Sequence, residues 1–330
     1  MNKPAAAVLY HYPCPDGAFA ALAAHLYFSA ASRPAIFFPN TVYNPIKPDH
    51  LPLRHLTDVY LLDFVGPPGF VHLFSSKVPR VVILDHHKTA LEALGGDDDR
   101  SVGENVRKVI DMNRSGATIA FDYFKEKLAR SDDDSGDETK KKRAMREFER
   151  MRPIFEYIED GDLWRWKLEN SKAFSSGLKD LNIEFSTELN PSLFDELLSL
   201  DLKSVIRQGM VSLSVKQKLI DDTLGQSYKI ALGGGNFGHC LAVDADSVSE
   251  LRSELGHQLA IKSRDLKLRG IGAVVYRVPE LENDQLLKIS LRSVECEDTT
   301  AISQEFGGGG HRNASSFMIS FEEFKLWKVD

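Results

Sequence analysis

The chain has 330 residues, of which 42% are hydrophobic and 27% are charged, a composition typical of a globular protein with about two domains. Lysine and arginine total 41 against 48 aspartate and glutamate residues, and the resulting net charge of -7 argues against a protein that wraps long duplex nucleic acid. The scattered cysteines Cys14, Cys240 and Cys296 predict neither a disulfide framework nor a paired zinc site. Apolar segments are too short for a signal peptide or a membrane span, so we expect a cytoplasmic protein without membrane contact.

Short apolar segments alternate with helical or loop segments over the first 112 residues. An alanine-rich helix is predicted over Ala18–Ser29. The predicted strands are Ala6–His11, Ala35–Phe38, Val59–Phe64, Val81–Leu84 and a weaker one at Arg107–Met112. Because these segments are apolar almost throughout, they predict a parallel sheet that is buried on both faces.

Two hydrophilic segments, Gly95–Gly103 and Arg130–Arg143, are predicted to be solvated loops. The second joins helices predicted over Ala117–Leu128 and Ala144–Ile158, and a functional role for its basic cluster Lys140–Arg143 is the less favoured alternative.

Leucine and valine recur at helical spacing between residues 191 and 225, which predicts helices that link two domains. Beyond them the pattern is mixed, with helices predicted over Ser249–Ser263 and Thr299–Glu305. The strands predicted there are Tyr228–Leu232, His239–Val243, Ile271–Val278, Leu286–Arg292 and Ala314–Ser320.

Residues able to bind metal follow three strands of the predicted parallel sheet. These are His11 with Asp16, then Asp63, then the run Asp85-His86-His87. The carboxyl ends of parallel strands meet at one edge of a sheet, where α/β proteins bind their ligands. Mn²⁺ accepts mixed carboxylate and imidazole ligands, and paired ions of this kind catalyse phosphoryl displacement. A single strand-end aspartate is more often a cap or turn residue, but three coincident clusters favour a metal centre.

Further carboxylates, Asp160 and Asp162, follow a predicted helix. Another motif, Ser115-Gly116-Ala117, opens a helix, and we expect Ser115 to be an ordinary N-cap, with anion binding as the alternative. A run of four glycines before His311 and Arg312 removes side chains that would keep a phosphate from the backbone, which favours phosphate or base binding over a flexible loop.

Together these motifs resemble those of the DHH phosphoesterase family, from Val8 to about Phe317. The segment Leu84-Asp85-His86-His87 is similar to the motif that names the family. The other similar segments are His11–Gly17, Leu62-Asp63-Phe64, Glu159–Trp164, Ser290–Ser293 and the glycine-rich Gly307–Arg312, the last two being typical of the DHH-associated domain.

The resemblance implies a role for each matched residue. His11 would bind one metal ion, Asp16 and His86 the other, and Asp63 would bridge the two. Asp160 would be the metal ligand of the fourth motif, with Asp162 as a less favoured substitute.

As catalytic residues the resemblance implies His87, in contact with the scissile phosphate, and Asp85, which would bind metal or orient its neighbours. The substrate-binding residues implied are Arg292, Gly308, Gly309, Gly310, His311 and Arg312.

One position departs from the family pattern, since Cys14 stands where many members have an aspartate. A thiolate suits softer ions than Mn²⁺, so we favour a small buried Cys14 and a first metal site that is weaker or filled only with substrate; a thiolate ligand is the alternative.

The expected fold class is therefore α/β, with a parallel-sheet DHH domain over residues 1–190, a helical linker over 191–225, and a smaller mixed α/β DHH-associated domain over 226–330. The active site is expected in the cleft between the domains.

The expected function is a phosphodiesterase that uses Mn²⁺, with Mg²⁺ as the alternative ion, to hydrolyse very short RNA to nucleoside monophosphates. The alternatives are a 3′-phosphoadenosine 5′-phosphate phosphatase, a linear or cyclic dinucleotide phosphodiesterase, an inorganic pyrophosphatase or exopolyphosphatase, and a nucleotide-binding protein without turnover. The sequence leaves open whether the chain forms a homodimer.

Overall fold

The computed structural model describes residues 5–41, 45–47, 49, 51–94, 103–130 and 138–329. The chain divides into two compact units, Met1–Ser212 and Leu213–Asp330, and each contains one β-sheet. The division falls within a helix of the segment predicted to link two domains. None of the helices in the described ranges is long and apolar enough to cross a membrane.

The first unit is built on a five-stranded sheet in which every neighbouring pair is parallel. Its strands are β1 (Ala5–His11), β2 (Ala35–Asn40), β3 (Leu56–Leu62), β4 (Arg80–Asp85) and β5 (Val106–Ile110), in the order β2-β1-β3-β4-β5. The prediction of a parallel sheet is confirmed, with strand ends that differ from the predicted ones by up to three residues. All five strands deliver their carboxyl ends to the same edge.

Helices cover both faces of this sheet. They are α1 (Pro15–Ala30), α2 (Phe70–Ser75), α3 (Lys88–Leu94), α4 (Gly116–Ala129), α5 (Glu138–Asp162), α6 (Ser171–Asp180), α7 (Leu193–Ser199) and α8 (Leu202–Gly225), which continues into the second unit. Along β1, Val8 and Tyr10 pack with residues of α1, α4 and α5, whereas Ala7 and Leu9 pack with residues of α2 and α3 on the other face. Burial on both faces explains why these strands are apolar without alternation.

The structure corrects the loop predicted over Arg130–Arg143, because α5 already begins at Glu138. Its first turns are solvent-exposed and carry an ion pair between Glu138 and Lys142, 2.9 Å apart, at the i, i+4 spacing that supports helices. These first turns of α5 carry charged pairs and no apolar side chains at helical spacing, so hydrophobic periodicity does not predict them. The rest of that segment, 131–137, and the loop predicted at 95–102 lie outside the described residues.

The second unit is built on a six-stranded mixed sheet in the order β10-β11-β9-β8-β7-β6. Only β7 and β8 pair in parallel among its described strands. The elements are β6 (Tyr228–Ala231), β7 (His239–Asp244), α9 (Arg252–Asp265), β8 (Ile271–Tyr276), β9 (Leu286–Ser293), α10 (Thr300–Glu305), β10 (Gly309–His311), β11 (Ala314–Ser320) and α11 (Phe321–Lys325). The predicted mixed α/β class is confirmed, but strand β10 was not expected in the glycine run.

Candidate metal centre

Acidic and imidazole side chains converge at the carboxyl edge of the parallel sheet. His11 ends β1, Asp63 directly follows β3, and Asp85 ends β4, while Asp16 lies in the first turn of α1 and Asp162 is the last residue of α5. Three overlapping groups of potential ligands form there, with ligand atoms within 4.8 Å of one another: His11, Cys14 and Asp63; Asp63, His86 and His87; and Asp16, His86 and Asp162.

Asp63 lies between two imidazoles and presents one oxygen to each. Its Oδ2 is 3.1 Å from Nδ1 of His11, and its Oδ1 is 3.2 Å from Nε2 of His86. Asp63 thus belongs to two of the ligand groups found among the described residues, one with His11 and one with His86.

The backbone of Asp63 has a φ of +65°, in the left-handed region that is uncommon outside glycine. Its N–H donates to the carbonyl of Leu84 at 2.8 Å, so the chain turns sharply while it remains attached to β4. Such a conformation costs on the order of 1 kcal/mol or more and is found mainly where function needs it.

Asp16 is held by the N-terminus of α4, whose backbone N–H groups at Gly116 and Ala117 donate to its two carboxylate oxygens at 2.7 and 3.0 Å. Ser115 caps the same helix by accepting from the N–H of Thr118 at 3.4 Å, as expected. The N-terminus of α4 therefore binds the carboxylate of Asp16, an anion of the chain itself. A Cβ on Gly116 would lie 2.7 Å from Cβ of Asp63 and 2.9 Å from Oδ2 of Asp16, so only glycine fits here.

Asp85 orients the residues that follow it. Its Oδ1 accepts from the backbone N–H groups of His86 and His87, at 2.7 and 3.2 Å, and from Nδ1 of His87 at 2.8 Å. The hydrogen bond to Asp85 is the main reason why the pKa of His87 is raised to about 9. These contacts of Oδ1 match the orienting role implied for Asp85, whereas its buried Oδ2 has no hydrogen-bond partner in the described ranges, so metal binding stays the alternative.

The structure separates Asp160 from the metal centre and brings Asp162 into it. Both oxygens of Asp160 accept backbone N–H groups, from Lys167 at 3.0 Å and Leu168 at 3.2 Å. Asp162 Oδ2, in contrast, lies 3.5 Å from Nε2 of His86. Among the described residues, Asp162 belongs to a group of potential ligands and Asp160 does not, so the geometry favours Asp162, the substitute, as the fourth-motif ligand.

The cluster holds more carboxylate charge than its own surroundings neutralise. Burial, and then the charges of Asp63 and Asp162, raises the pKa of Asp16 well above its ordinary value, and burial followed by the charge of Asp63 raises the pKa of Asp162. Burial also acts to raise the pKa of Asp63, but hydrogen bonds from His11 and His86 outweigh it, so that pKa lies below its ordinary value.

Oδ2 of Asp85 and Oδ2 of Asp162 are buried without a hydrogen-bond donor in the described part of the chain, and the buried Oδ1 of Asp63 has Nε2 of His86 as its neighbour at 3.2 Å. Buried carboxylate oxygens without donors are costly unless a cation binds them. Carboxylate and imidazole donors together fit a hard to borderline divalent ion such as Mn²⁺ or Mg²⁺.

Cys14 immediately precedes α1, and its sulfur belongs to the ligand group of His11 and Asp63. Burial, and then the charges of Asp63 and Asp16, raises the pKa of its thiol to about 12. In the chain alone Cys14 is therefore a neutral thiol and contributes no anionic ligand.

Two cavities flank the cluster within the first unit. One of about 320 Å³ is lined by His11, Asp63 and His87. The other, of about 610 Å³, extends from Asp16 and Asp162 along apolar side chains that include Phe174. The metal centre is thus accessible to a small substrate from both sides.

Asn40 at the end of β2 also lines the smaller cavity, and sequence patterns did not identify it. It is buried beside His11 in the strand register, and its Nδ2 has no acceptor in the described ranges. The predicted strand ended at Phe38, so that Asn40 was not recognised as a strand-end residue. Trp164, in the segment that follows α5, is 79% exposed.

The residues predicted to bind substrate lie in the second unit. Arg292 on β9, Ala314 on β11 and His311 on β10 are aligned across three adjacent strands. The guanidinium of Arg292 donates to the hydroxyls of Ser290 and Ser253 at 2.9 and 3.1 Å. Arg312 is exposed and donates to the carbonyl of Glu297 at 3.3 Å.

The glycine run is explained in part by close packing of the backbone. A Cβ on Gly308 would lie 2.1 Å from the carbonyl oxygen of Ser316, and one on Gly310 would lie 2.5 Å from that of Ala314. Gly309 has open space at this position. Two of the four glycines, Gly308 and Gly310, are therefore required by close packing against β11, whereas Gly307 and Gly309 have the open space that a ligand would need.

Comparisons with known proteins give distant likenesses over almost the whole chain. No protein-family model matches it. An uncharacterised protein, R106 of Acanthamoeba polyphaga mimivirus, is 24% identical over 328 residues, which cover 95% of this chain and 67% of that protein.

Similar solved structures include an exopolyphosphatase-related protein of Bacteroides fragilis, with 15% identity, a TM-score of 0.39 and coverage of 98% of this chain and 90% of that one. A pGpG-specific phosphodiesterase, PggH of Vibrio cholerae, has 10% identity, a TM-score of 0.44 and coverage of 98% and 94%. RecJ of Thermus thermophilus in complex with Mn²⁺ has 12% identity, a TM-score of 0.40 and coverage of 97% and 50%. At these identities, function must be inferred from the residues of the site itself.

Proposed function

We propose that this chain is a divalent-metal-dependent phosphoesterase of the DHH type, which uses Mn²⁺ or Mg²⁺. The observation that carries the proposal is the convergence of three carboxylates, from Asp16, Asp63 and Asp162, on Nε2 of His86 at 3.2 to 3.7 Å. This ligand set lies at the carboxyl edge of a parallel sheet and is flanked by two open cavities.

Asp63 would be shared by two ions. His11 would complete one site with Oδ2 of Asp63, whereas Asp16, His86 and Asp162 would complete the other with Oδ1. When bound, such ions generate a nucleophilic water near neutral pH and stabilise the charge of the displacement. The first site has fewer carboxylate ligands because Cys14 stands where many DHH family members have an aspartate, and we infer that it binds its ion more weakly.

His87 would contact the scissile phosphate. Its Nδ1 is bound by Asp85, which fixes the ring, and its side chain is 44% exposed beside Thr89 and Asp63 in the smaller cavity. A fixed hydrogen-bond donor of this kind stabilises charge that develops on a phosphoryl oxygen. Asp85 is then a positioning residue for His87.

Very short RNA is the proposed substrate, cleaved to nucleoside monophosphates, and Arg292 and His311 of the second unit would bind its non-reacting end. The planar guanidinium of Arg292 suits a phosphate or the face of a base. The acidic net charge of -7 favours a substrate with few phosphates over a long polyanion.

The test of the metal centre compares Asp162→Asn with Asp160→Asn, which remove the same charge from neighbouring positions of one turn. Mn²⁺ binding is measured by calorimetry, and hydrolysis of the dinucleotide pApA is followed by chromatography. We expect Asp162→Asn to lose about 100-fold or more in kcat and to bind Mn²⁺ more weakly. Asp160→Asn should lose stability, by about 1 kcal/mol, and retain Mn²⁺ affinity. Equal loss of Mn²⁺ affinity in both variants would contradict the assignment.

The same assay with 3′-phosphoadenosine 5′-phosphate and pyrophosphate distinguishes the other phosphoesterase activities. Release of phosphate from pyrophosphate, without mononucleotide from pApA, would replace the nuclease proposal with a pyrophosphatase. Binding of Mn²⁺ and pApA without turnover of any substrate would leave a nucleotide-binding protein.

A further inference from the structure

A further cavity, of about 350 Å³, opens at the opposite edge of the parallel sheet, where the strands begin. Four cationic side chains line it: Arg80 at the start of β4, Arg107 near the start of β5, and Lys127 and Arg130 at the end of α4. The strands of a sheet rise by about 3.3 Å per residue, so the five steps from Arg80 to Asp85 place this cavity about 16 Å from the metal centre.

The carboxylates near these cations do not balance them. Asp58, buried in β3, is shared between Arg80 and Arg33, the latter at 2.8 Å. Glu126 pairs with Arg130 at 3.2 Å. Among the described residues, no carboxylate pairs with Arg107 or Lys127, so the cavity carries a net positive charge.

Lys127 lies close to another cation of the cavity, Arg80, and to several tyrosine rings. Its ammonium group lies over the rings of Tyr27 and Tyr60, each at 5.1 Å, and donates to the hydroxyl of Tyr60. Burial, and then the charge of Arg80, lowers the pKa of Lys127 to about 8. Neutral rings compensate a cation only partly, so an anion in the cavity would meet a positive charge that is not fully compensated.

We propose that this cavity binds a small phosphate-rich anion, recognised through its oligophosphate group. Guanidinium forks bind phosphate oxygens in a bidentate manner, and Arg107 and Arg130 are exposed and able to do so. A volume of about 350 Å³ is at the lower end of the range for small-molecule sites. Arg107 already lies over the ring of Tyr123 at 5.2 Å, so a base that stacked on that face would have to displace it.

The test is calorimetric titration with sodium triphosphate in EDTA, which keeps divalent ions from the metal centre. Arg107→Gln and Arg130→Gln are each expected to weaken binding about tenfold, since hydrogen bonds to charged groups contribute about that factor. Lys125→Gln is the matched control: this lysine lies on the same helix but pairs with Glu149, 2.6 Å away, outside the cavity. We expect Lys125→Gln to bind triphosphate with the affinity of the wild type. We also expect Arg107→Gln to hydrolyse pApA at the wild-type rate.

Three results would overturn the proposal. The first is equal weakening in Lys125→Gln and Arg107→Gln, which would indicate a general effect of charge. The second is binding of ATP but not of triphosphate, which would show that the oligophosphate group is not what is recognised. The third concerns the sequence after Arg130, which holds four aspartates, Asp132, Asp133, Asp134 and Asp137. If triphosphate bound only after their replacement by asparagine, the cations would already be neutralised by the chain itself. Equal affinity for triphosphate and ATP would support the proposal and identify the phosphates as the shared ligand.

Discussion

Gly116 offers a direct test of how the metal centre is held together. In Gly116→Ala the new Cβ would lie 2.7 Å from Cβ of Asp63, about 0.7 Å short of ordinary contact, and 2.9 Å from Oδ2 of Asp16 and Oδ1 of Asp63. The start of α4 must therefore move away from both carboxylates, and the 2.7 Å hydrogen bond from the N–H of residue 116 to Asp16 lengthens. Overpacking of this size costs about 1–3 kcal/mol, partly offset by the better helix propensity of alanine.

The effect on activity should exceed the effect on stability. Displacing catalytic groups by an ångström or less can reduce a rate by about 100-fold. We expect Gly116→Ala to fold with a slightly lower Tm, to bind Mn²⁺ more weakly, and to lose about 100-fold in kcat on pApA. The control is Gly225→Ala, at the end of α8, where a Cβ would meet nothing within 4 Å and activity should be unchanged. Wild-type kcat and Mn²⁺ affinity in Gly116→Ala would refute the claim that α4 positions the two carboxylates.

Three further predictions concern single residues. Asp58→Asn should destabilise the fold by about 2–3 kcal/mol at pH 7 in urea unfolding. Burial acts to raise the pKa of Asp58, but Arg80 and Arg33 outweigh it and hold that pKa below its ordinary value, so the difference from wild type should shrink as the pH falls below about 4. Asp85→Asn should lower the pKa of His87 from about 9 towards 6.5 in an NMR titration of the metal-free protein, and an unchanged value would contradict the positioning role. Cys14→Asp should lower the Tm without metal, because it adds a charge beside Asp63, and enlarge the rise in Tm that Mn²⁺ produces; a smaller rise would show that residue 14 does not face an ion.

The sequence was sufficient to predict the parallel sheet and three of the clusters at its carboxyl edge. Apolar runs that stop abruptly at His11, Asp63 or Asp85 identify both the strand and its functional end, because charged residues are rare inside a buried strand unless, like Asp58, they are paired. This information is local in sequence. It does not depend on how the helices pack.

The choice between Asp160 and Asp162 could not be made in this way, because it depends on the backbone after α5. Trp164 and Trp166 adopt positive φ values of 52° and 50°, and the chain turns back so that the N–H groups of residues 167 and 168 reach Asp160. Nothing in the sequence spacing predicts left-handed tryptophans. The fit of Gly116 against Asp63 is likewise a contact across 53 positions of sequence, and no local pattern predicts it.

The carboxyl edge of the parallel sheet carries an excess of negative charge, and the amino edge carries an excess of positive charge. The net charge of the whole chain therefore describes neither edge. At the carboxyl edge, the negative charges of Asp16, Asp63 and Asp162 oppose one another's ionisation, and imidazoles and the backbone N–H groups at the start of α4 compensate them in part. At the amino edge, Arg107 and Lys127 lack carboxylate partners within the described ranges. Strands β3 and β4 run from one edge to the other, and the elements that carry these charges belong to the same sheet or pack against it. A framework of this kind gains stability from ligands of opposite charge at both edges, because each ligand removes a repulsion that folding itself imposes. Divalent cations and triphosphate should therefore each raise the Tm, and they should do so additively if the two edges are independent.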